Sequence, residues 1–402
     1  MTSTWVSGSE SRGFGLHNLP YGVFSTGAGR RRRVGVAIGD AVLDASQLPI
    51  PDATDLAHSS LNRLMSRGPR RWAAQREALQ ELLSNDSYRE QVEPHLIPRH
   101  SARMHLPIDI GDYVDFYSSR KHAENLGRIF RPGSDPLTPN WKHLPIGYHG
   151  RSGTVVVSGT PVIRPCGQRK SADDPMPSFG PSERLDLEAE IGFVIGVPSS
   201  PGTPVPVRDF TQHVFGAVVV NDWSARDLQA WEYAPLGPFL GKSFLTSISP
   251  WVVPLAALES ARVPPPTRDV PLLPYLQDED PWGLEITLEV TLNGELISRP
   301  PFRDTYWTPA QQLAHLTVNG ASVRTGDLYA SGTVSGPQRG QYGSLIELSW
   351  GGADPVALAG GQPRAFLADG DVVTIGAVAP GDAGELISFG EVTGQVQPAR
   401  LP

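Results

Sequence analysis

Short apolar segments punctuated by glycine and proline run along most of the chain. Near the start, Gly22 to Ser25 and Val34 to Val42 are β-like stretches separated by the glycine- and arginine-containing segment Gly27 to Arg33, a hairpin signal. Pro69 opens a stretch in which Trp72, Gln75, Arg76, Leu79, Leu82 and Leu83 recur at helical spacing, which predicts an amphipathic helix packed on that small sheet. From Leu106 to Gly111 the pattern turns from helical to turn-rich, which puts a domain boundary between residues 1–110 and residues 111–402. Beyond it, Leu185 to Phe193 alternates polar and apolar positions, and the apolar run Val214 to Val220 predicts a buried strand ending in Asn221-Asp222-Trp223. Ser118-Ser119 is a helix start, after which His122, Asn125, Leu126 and Ile129 line one helical face. Leu345 to Trp350 reads as a further strand, and Pro-rich Arg262 to Pro281 as a long surface connection. No period repeats, which excludes solenoids and propellers.

At 402 residues the chain exceeds the size at which one core usually stops growing, in keeping with two domains. With 42 glycines and 39 prolines, the composition favours many turns between many short strands over a helical bundle. The formal charge of -8 argues against nucleic acid as a main partner, and the run Arg30 to Arg33 reads as a solvated turn. A single cysteine, Cys166, excludes an intrachain disulfide and reads as a small buried hydrophobe. The apolar runs fall short of the roughly 20 residues that cross a bilayer, and Met1 to Ser11 carries no apolar stretch of a signal peptide, so the expected location is cytoplasmic with no membrane partner.

Candidate chemistry lies in the acidic residues. Alternation puts Asp186, Glu188 and Glu190 on one face of a strand, which alone would be an ordinary solvent face. Asp222 at the tip of the buried strand could equally cap a helix starting at Ser224, and Asp115 precedes the Ser118-Ser119 helix start. Arg226, Gln229 and Tyr233 form a polar stripe on that following helix, leading into Pro235-Leu236-Gly237-Pro238 and Lys242. His122 on an apolar face reads first as a structural histidine, and Glu347 opposite the apolar face of its strand as plain surface. Three or four carboxylates without cysteine suit a hard cation such as Mg²⁺ or Ca²⁺, which would also relieve their mutual repulsion if they converge.

The longer strings are more specific. Asp115-Phe116-Tyr117-Ser118-Ser119-Arg120-Lys121-His122-Ala123, Leu144 to Arg151, Asn221 to Asp227 and Pro235 to Ser243 closely resemble the fumarylacetoacetate hydrolase family, as do His17 to Ser25 and Ser331 to Pro337. The resemblance covers both halves of the chain, including the N-terminal module that marks the full-length two-domain form. It implies a mainly β fold with some α: a small SH3-like N-terminal barrel followed by a β-roll catalytic domain, working as a homodimer. It places metal ligands on Asp115, Glu188, Glu190 and Asp222, with an additional cation, Mg²⁺ or Na⁺, at Lys242 and Thr246. It places the catalytic histidine on His122, its supporting glutamate on Glu347, oxyanion contacts on Lys242, Arg226 and Gln229, and substrate contacts on Tyr117, Arg131, Gln229, Tyr233 and Thr333.

Two departures from the family pattern stand out: Leu245, where the familiar enzymes have glycine, and the segment Gly340 to Gly343. The implied reaction is metal-dependent hydrolysis of a carbon–carbon bond in a β-diketo acid, 4-fumarylacetoacetate, to fumarate and acetoacetate in tyrosine and phenylalanine catabolism. Acylpyruvate hydrolysis or oxaloacetate decarboxylation on the same fold is the enzymatic alternative. A non-catalytic, metal-stabilised dimer is the alternative outside enzymes, against which His122, Glu347 and Lys242 argue, since a scaffold needs the acids but not a base.

Overall fold

The computed structural model describes residues 4–8, 13–27, 31–171 and 174–401. Arg30, Met1 to Ser3 and Ser9 to Ser11 lie outside them. Among the described residues the fold is mainly β with some helices, built around a thirteen-stranded mixed sheet and a five-stranded sheet.

The opening apolar stretches form the expected hairpin, Tyr21–Thr26 antiparallel to Arg33–Ile38, and a turn at Gly39-Asp40 splits the second stretch so that Ala41–Leu43 folds back as a third strand. Arg33 is no solvated turn residue: its Nε is bonded to Asp44 and its guanidinium lies over Phe24. The helix Pro69–Ser84 forms where the periodicity places it, with Gln75, Leu79, Leu82 and Leu83 buried. The hairpin continues into the rest of the molecule: Tyr21 and Gly22 pair with Val252 and Trp251 of the strand Trp251–Pro254, which pairs in turn with Val214–Asp222.

At the centre of the large sheet, Val214–Asp222 runs between Ala189–Ile195 and the strands Thr246–Ile248 and Trp251–Pro254. Every residue of Val214–Asp222 and of Ala189–Ile195 is buried. The reason is that both faces are covered. On one side, Ile191, Phe193, Ala217 and Val219 meet Leu288, Val290, Ile375 and Phe389 of the second sheet. On the other, Val194, Val218 and Val220 meet Val23, Val36, Leu79 and Leu83 of the N-terminal region. Strands covered on both faces read as continuous apolar runs, whereas Thr287–Leu292 and Val372–Pro380 of the second sheet bury every other residue.

The site-bearing segments hang from the edges of this frame. The strand Tyr113–Phe116 pairs in parallel with Leu328–Ala330 and then leads into the helix Arg120–Phe130. Ser119 caps that helix by accepting from the His122 backbone N–H at 3.4 Å, and such caps contribute about 1 kcal/mol. The segment 262–281 packs against Gln311 and the aromatic cluster behind the helix, with the Arg268 guanidinium over Tyr306 and Trp307. Cys166 is half-buried, not fully inside, and its thiol is free. No helix among the described residues is long and apolar enough to cross a membrane.

The turn after Leu328–Ala330 is fixed by Gly332. Its φ is +76°, and a Cβ there would lie 2.0 Å from the Phe116 carbonyl oxygen. Gly332→Ala is therefore expected to destabilise the protein by more than about 1 kcal/mol, read as a lower urea midpoint. An unchanged midpoint would show that the turn tolerates a side chain.

Candidate active site and metal centre

Residues from three parts of the sequence converge at the C-terminal end of Val214–Asp222. Asp115, Glu188, Glu190 and Asp222 each bring one carboxylate oxygen within 4.8 Å of the others, and all four are buried. The expected continuous strand from Leu185 to Phe193 is interrupted at Leu187-Glu188, and Asp186 and Glu188 both reach Arg226. Asp222 does not cap the following helix. That helix begins at Arg226 after a short strand at Ser224–Ala225, and the Asp222 carboxylate instead accepts from Lys242 Nζ and Thr246 Oγ1, both at 2.7 Å, and from the Tyr148 hydroxyl at 3.2 Å.

Lys242 reaches this point because the turn Leu240–Ser243 packs closely on the helix Arg226–Glu232. A Cβ at Gly241 would meet the Gln229 backbone nitrogen at 2.8 Å, and Glu232 holds the Phe239 and Gly241 N–H groups. The ammonium also donates to Glu188, while Arg226 Nη2 lies 2.7 Å from Glu188 Oε1. Burial pushes the Glu188 carboxyl up, but Lys242 and Arg226 outweigh it and hold the group well below the usual range. Burial likewise disfavours the Lys242 charge, and the carboxylates of Asp222 and Glu188 overcome that, raising it above the ordinary lysine value.

Compensation is incomplete. Against four carboxylates the site sets one ammonium and one guanidinium, leaving at least two negative charges unmatched. Two unit charges at the 4.8 Å limit repel by about 3 kcal/mol at an effective dielectric of about 20. Burial, and after it the neighbouring acids, drives Asp115 and Glu190 well above their ordinary values. Both Glu190 oxygens and Asp115 Oδ1 are buried with no hydrogen-bond partner. Orphaned carboxylate oxygens facing one another, with no sulfur among them, fit a hard divalent cation.

Beside the cluster stands an imidazole–carboxylate pair. His122 Nδ1 lies 2.7 Å from Glu347 Oε2. A carboxylate only accepts, so in the neutral imidazole Nδ1 carries the proton and the lone pair is left on Nε2. Glu347 lies on a short helical turn, Leu345–Leu348, and is buried; it is neither on a strand nor on the surface as its sequence pattern suggests. Its oxygens also accept from Asn125 Nδ2 (2.9 Å), Ser335 Oγ (2.9 Å) and Ser344 Oγ (2.6 Å). Burial raises the Glu347 carboxyl, but His122 and these donors win, leaving it below the usual value.

Around this centre Tyr117 packs edge-on against His122 at 5.4 Å, and Thr333 is buried with its hydroxyl unpartnered. Gln229 is half-buried, its Oε1 accepting from Arg226 Nη1 at 3.2 Å, which leaves its amide N–H groups to donate elsewhere. Arg131 and Tyr233 are exposed, and Arg131 Nη2 donates to the Pro136 carbonyl at 3.0 Å. Leu245 is half-buried against the core, and Gly343 of the divergent segment donates its N–H to Ser335 Oγ. A cavity of about 130 Å³ lined by Tyr148, Arg151, Asp222, Phe239, Lys242 and Thr246 opens beside the cluster. The sequence pattern gives no role to Asp186 or Asn125, which it places beside candidate residues, nor to Tyr148, Ser335 and Ser344. The first shares an alternating face with Glu188, and Tyr148 and Ser335 sit inside the strings that carry the resemblance.

Residues 113–397 match the family described as fumarylacetoacetate (FAA) hydrolase C-terminal, and residues 17–107 match the one described as fumarylacetoacetase N-terminal. Human fumarylacetoacetase is 48% identical over 418 residues, covering 99% of this chain and 100% of that protein. The fumarylacetoacetases of Caenorhabditis elegans and Arabidopsis thaliana are 47% and 43% identical, each covering at least 97% of both chains. Among solved structures, a fumarylacetoacetate hydrolase from Exiguobacterium antarcticum superposes with a TM-score of 0.56 at 18% identity, covering 95% of this chain and 100% of that one. A maleylpyruvate hydrolase from Sphingobium follows the same fold, with a TM-score of 0.52 at 16% identity and the same coverage.

The depressed Glu347 value fixes the sign of one pH effect. Its stabilisation is fully present above the unfolded value of about 4.3 and is lost as the pH falls through the lower folded value. The stability advantage of the unaltered protein over Glu347→Gln, measured by urea unfolding, is expected to shrink as the pH drops below about 4. An advantage that grew with acidity would contradict the assignment.

Proposed function

The chain belongs to the fumarylacetoacetate hydrolase family, and from that membership we propose how its buried site carries out the reaction. It is a fumarylacetoacetase, which adds water across a carbon–carbon bond of 4-fumarylacetoacetate and releases fumarate and acetoacetate. The full-length identity and the N-terminal match favour this over acylpyruvate hydrolysis or oxaloacetate decarboxylation.

Asp115, Glu188, Glu190 and Asp222 would hold a divalent cation, Mg²⁺ or Ca²⁺; the support is the convergence of one oxygen from each within 4.8 Å, with both Glu190 oxygens and Asp115 Oδ1 unpartnered. When bound, such an ion supplies Lewis-acid polarisation of diketone oxygens, worth several kcal/mol. His122 takes a proton from water through Nε2 while Glu347 holds the ring by Nδ1, and the resulting hydroxide attacks the carbonyl carbon. Lys242 and the free amide of Gln229 donate to the oxyanion, where one lost donor costs roughly 3 to 4 kcal/mol. Arg226 keeps Glu188 and Gln229 in place. As the tetrahedral species collapses, the carbon–carbon bond breaks and its electron pair leaves on the acetoacetate carbanion, which takes the proton back from His122 and restores the base. Tyr117 and Thr333 line the substrate's path, and Arg131 and Tyr233 take its carboxylate ends as the substrate arrives from solvent.

The same reading assigns residues 1–110 to an SH3-like module and residues 111–402 to a β-roll catalytic domain. It puts a second cation, Mg²⁺ or Na⁺, at Lys242 and Thr246, whose side chains both reach Asp222. The working form is a cytoplasmic homodimer; exposed Trp231, Leu236, Phe239 and Leu240 give apolar surface for the partner.

The single observation that carries the mechanism is the imidazole–carboxylate pair standing beside the acidic cluster. Two substitutions separate its parts. His122→Ala is expected to lower turnover of fumarylacetoacetate by about 10² to 10⁴ while calorimetric affinity for Mg²⁺ is retained, and near-normal turnover would remove His122 as the base. Asp222→Ala is expected to weaken Mg²⁺ binding in the same calorimeter; unchanged affinity would remove it from the ligand set.

A further inference from the structure

Asp186 stands outside the four-carboxylate cluster yet is fully buried. Both of its oxygens are engaged. Oδ1 accepts from the backbone N–H groups of Leu187 at 2.8 Å and Leu345 at 2.7 Å, and Oδ2 accepts from the Ile346 N–H at 3.2 Å and from Arg226 Nε at 2.8 Å. These partners belong to two separate parts of the site. Arg226 is ion-paired with Glu188 of the cluster, and Leu345 and Ile346 open the turn that carries Glu347.

A short helical turn would ordinarily be capped by the residue just before it. Here that residue is Ser344, whose hydroxyl is given to Glu347 Oε2, and the cap comes from a side chain 159 positions away in sequence. A buried carboxylate–guanidinium pair is a poor device for stability, because apolar residues of similar volume commonly do as well, and its usual value lies in fixing one arrangement. We propose that Asp186 is a positioning residue for the hydrolysis: by gripping Arg226 and the Glu347 turn at once, it sets the imidazole–carboxylate pair at a fixed distance from the acidic cluster. The inference rests on the reading in which His122 and Glu347 generate the nucleophile. An imidazole displaced by a fraction of its reach loses alignment with the water it deprotonates without loss of substrate contacts.

Asparagine at this position presents one acceptor oxygen and a donor amide, so it cannot satisfy Arg226 and the three backbone N–H groups together. Asp186→Asn, assayed on fumarylacetoacetate with saturating Mg²⁺, is expected to lower kcat by about 10- to 100-fold with KM little changed. Combined with Glu347→Gln, it is expected to add little to the loss that Glu347→Gln causes alone, since both act through one imidazole. A wild-type kcat per folded molecule, or losses that multiply in full, would overturn the proposal while leaving the hydrolase reading intact. If Glu347→Gln itself kept full turnover, the imidazole–carboxylate reading would fall and this inference with it. Should Asp186→Asn not accumulate as folded protein, Asp186→Ser, which removes the charge without adding volume, carries the same measurement.

Discussion

Repulsion among four buried carboxylates is the constraint around which this molecule is arranged. Asp115, Glu188, Glu190 and Asp222 are held close enough that their charges cannot all persist without compensation. Lys242 and Arg226 supply part of it, and both are themselves buried and committed to the acids. A cation held there would supply the remainder and would link binding energy to folding energy, since ligands brought together against repulsion gain most when an ion arrives.

Such an arrangement needs a stiff frame. The strands Ala189–Ile195 and Val214–Asp222 are packed on both faces, so the carboxylates at their ends have little freedom to move apart. The helix Arg120–Phe130 brings His122 from one side and the turn Leu345–Leu348 brings Glu347 from another, and the two meet through a bond that leaves one ring nitrogen free. In the proposed mechanism, charge compensation and proton transfer thereby fall to different residues. Arg131 and Tyr233, by contrast, are exposed to solvent.

Much of the frame was legible in the chain because burial on both faces leaves an uninterrupted apolar run, as at Val214 to Val220, and one-sided burial leaves a helical stripe, as at Trp72 to Leu83. Asp115 and Asp222 were legible as carboxylates at element ends and Glu188 as one polar position of an alternating strand, although periodicity alone left each with an ordinary alternative. Glu347 was misread as a strand residue because Leu345 to Trp350 alternates. What makes it a buried turn is the distant Asp186 carboxylate on the Leu345 and Ile346 N–H groups, which no local pattern encodes. Asp222 was open to reading as a helix cap for the same reason: the donors that claim it, Lys242 and Thr246, arrive through tertiary packing.

Anomalous diffraction from crystals of the protein equilibrated with Mn²⁺ tests the central claim most directly. The account expects one strong peak enclosed by oxygens of Asp115, Glu188, Glu190 and Asp222, with His122 alongside. Saturating Mn²⁺ that left this position without a peak, or a peak bound by other residues, would contradict it.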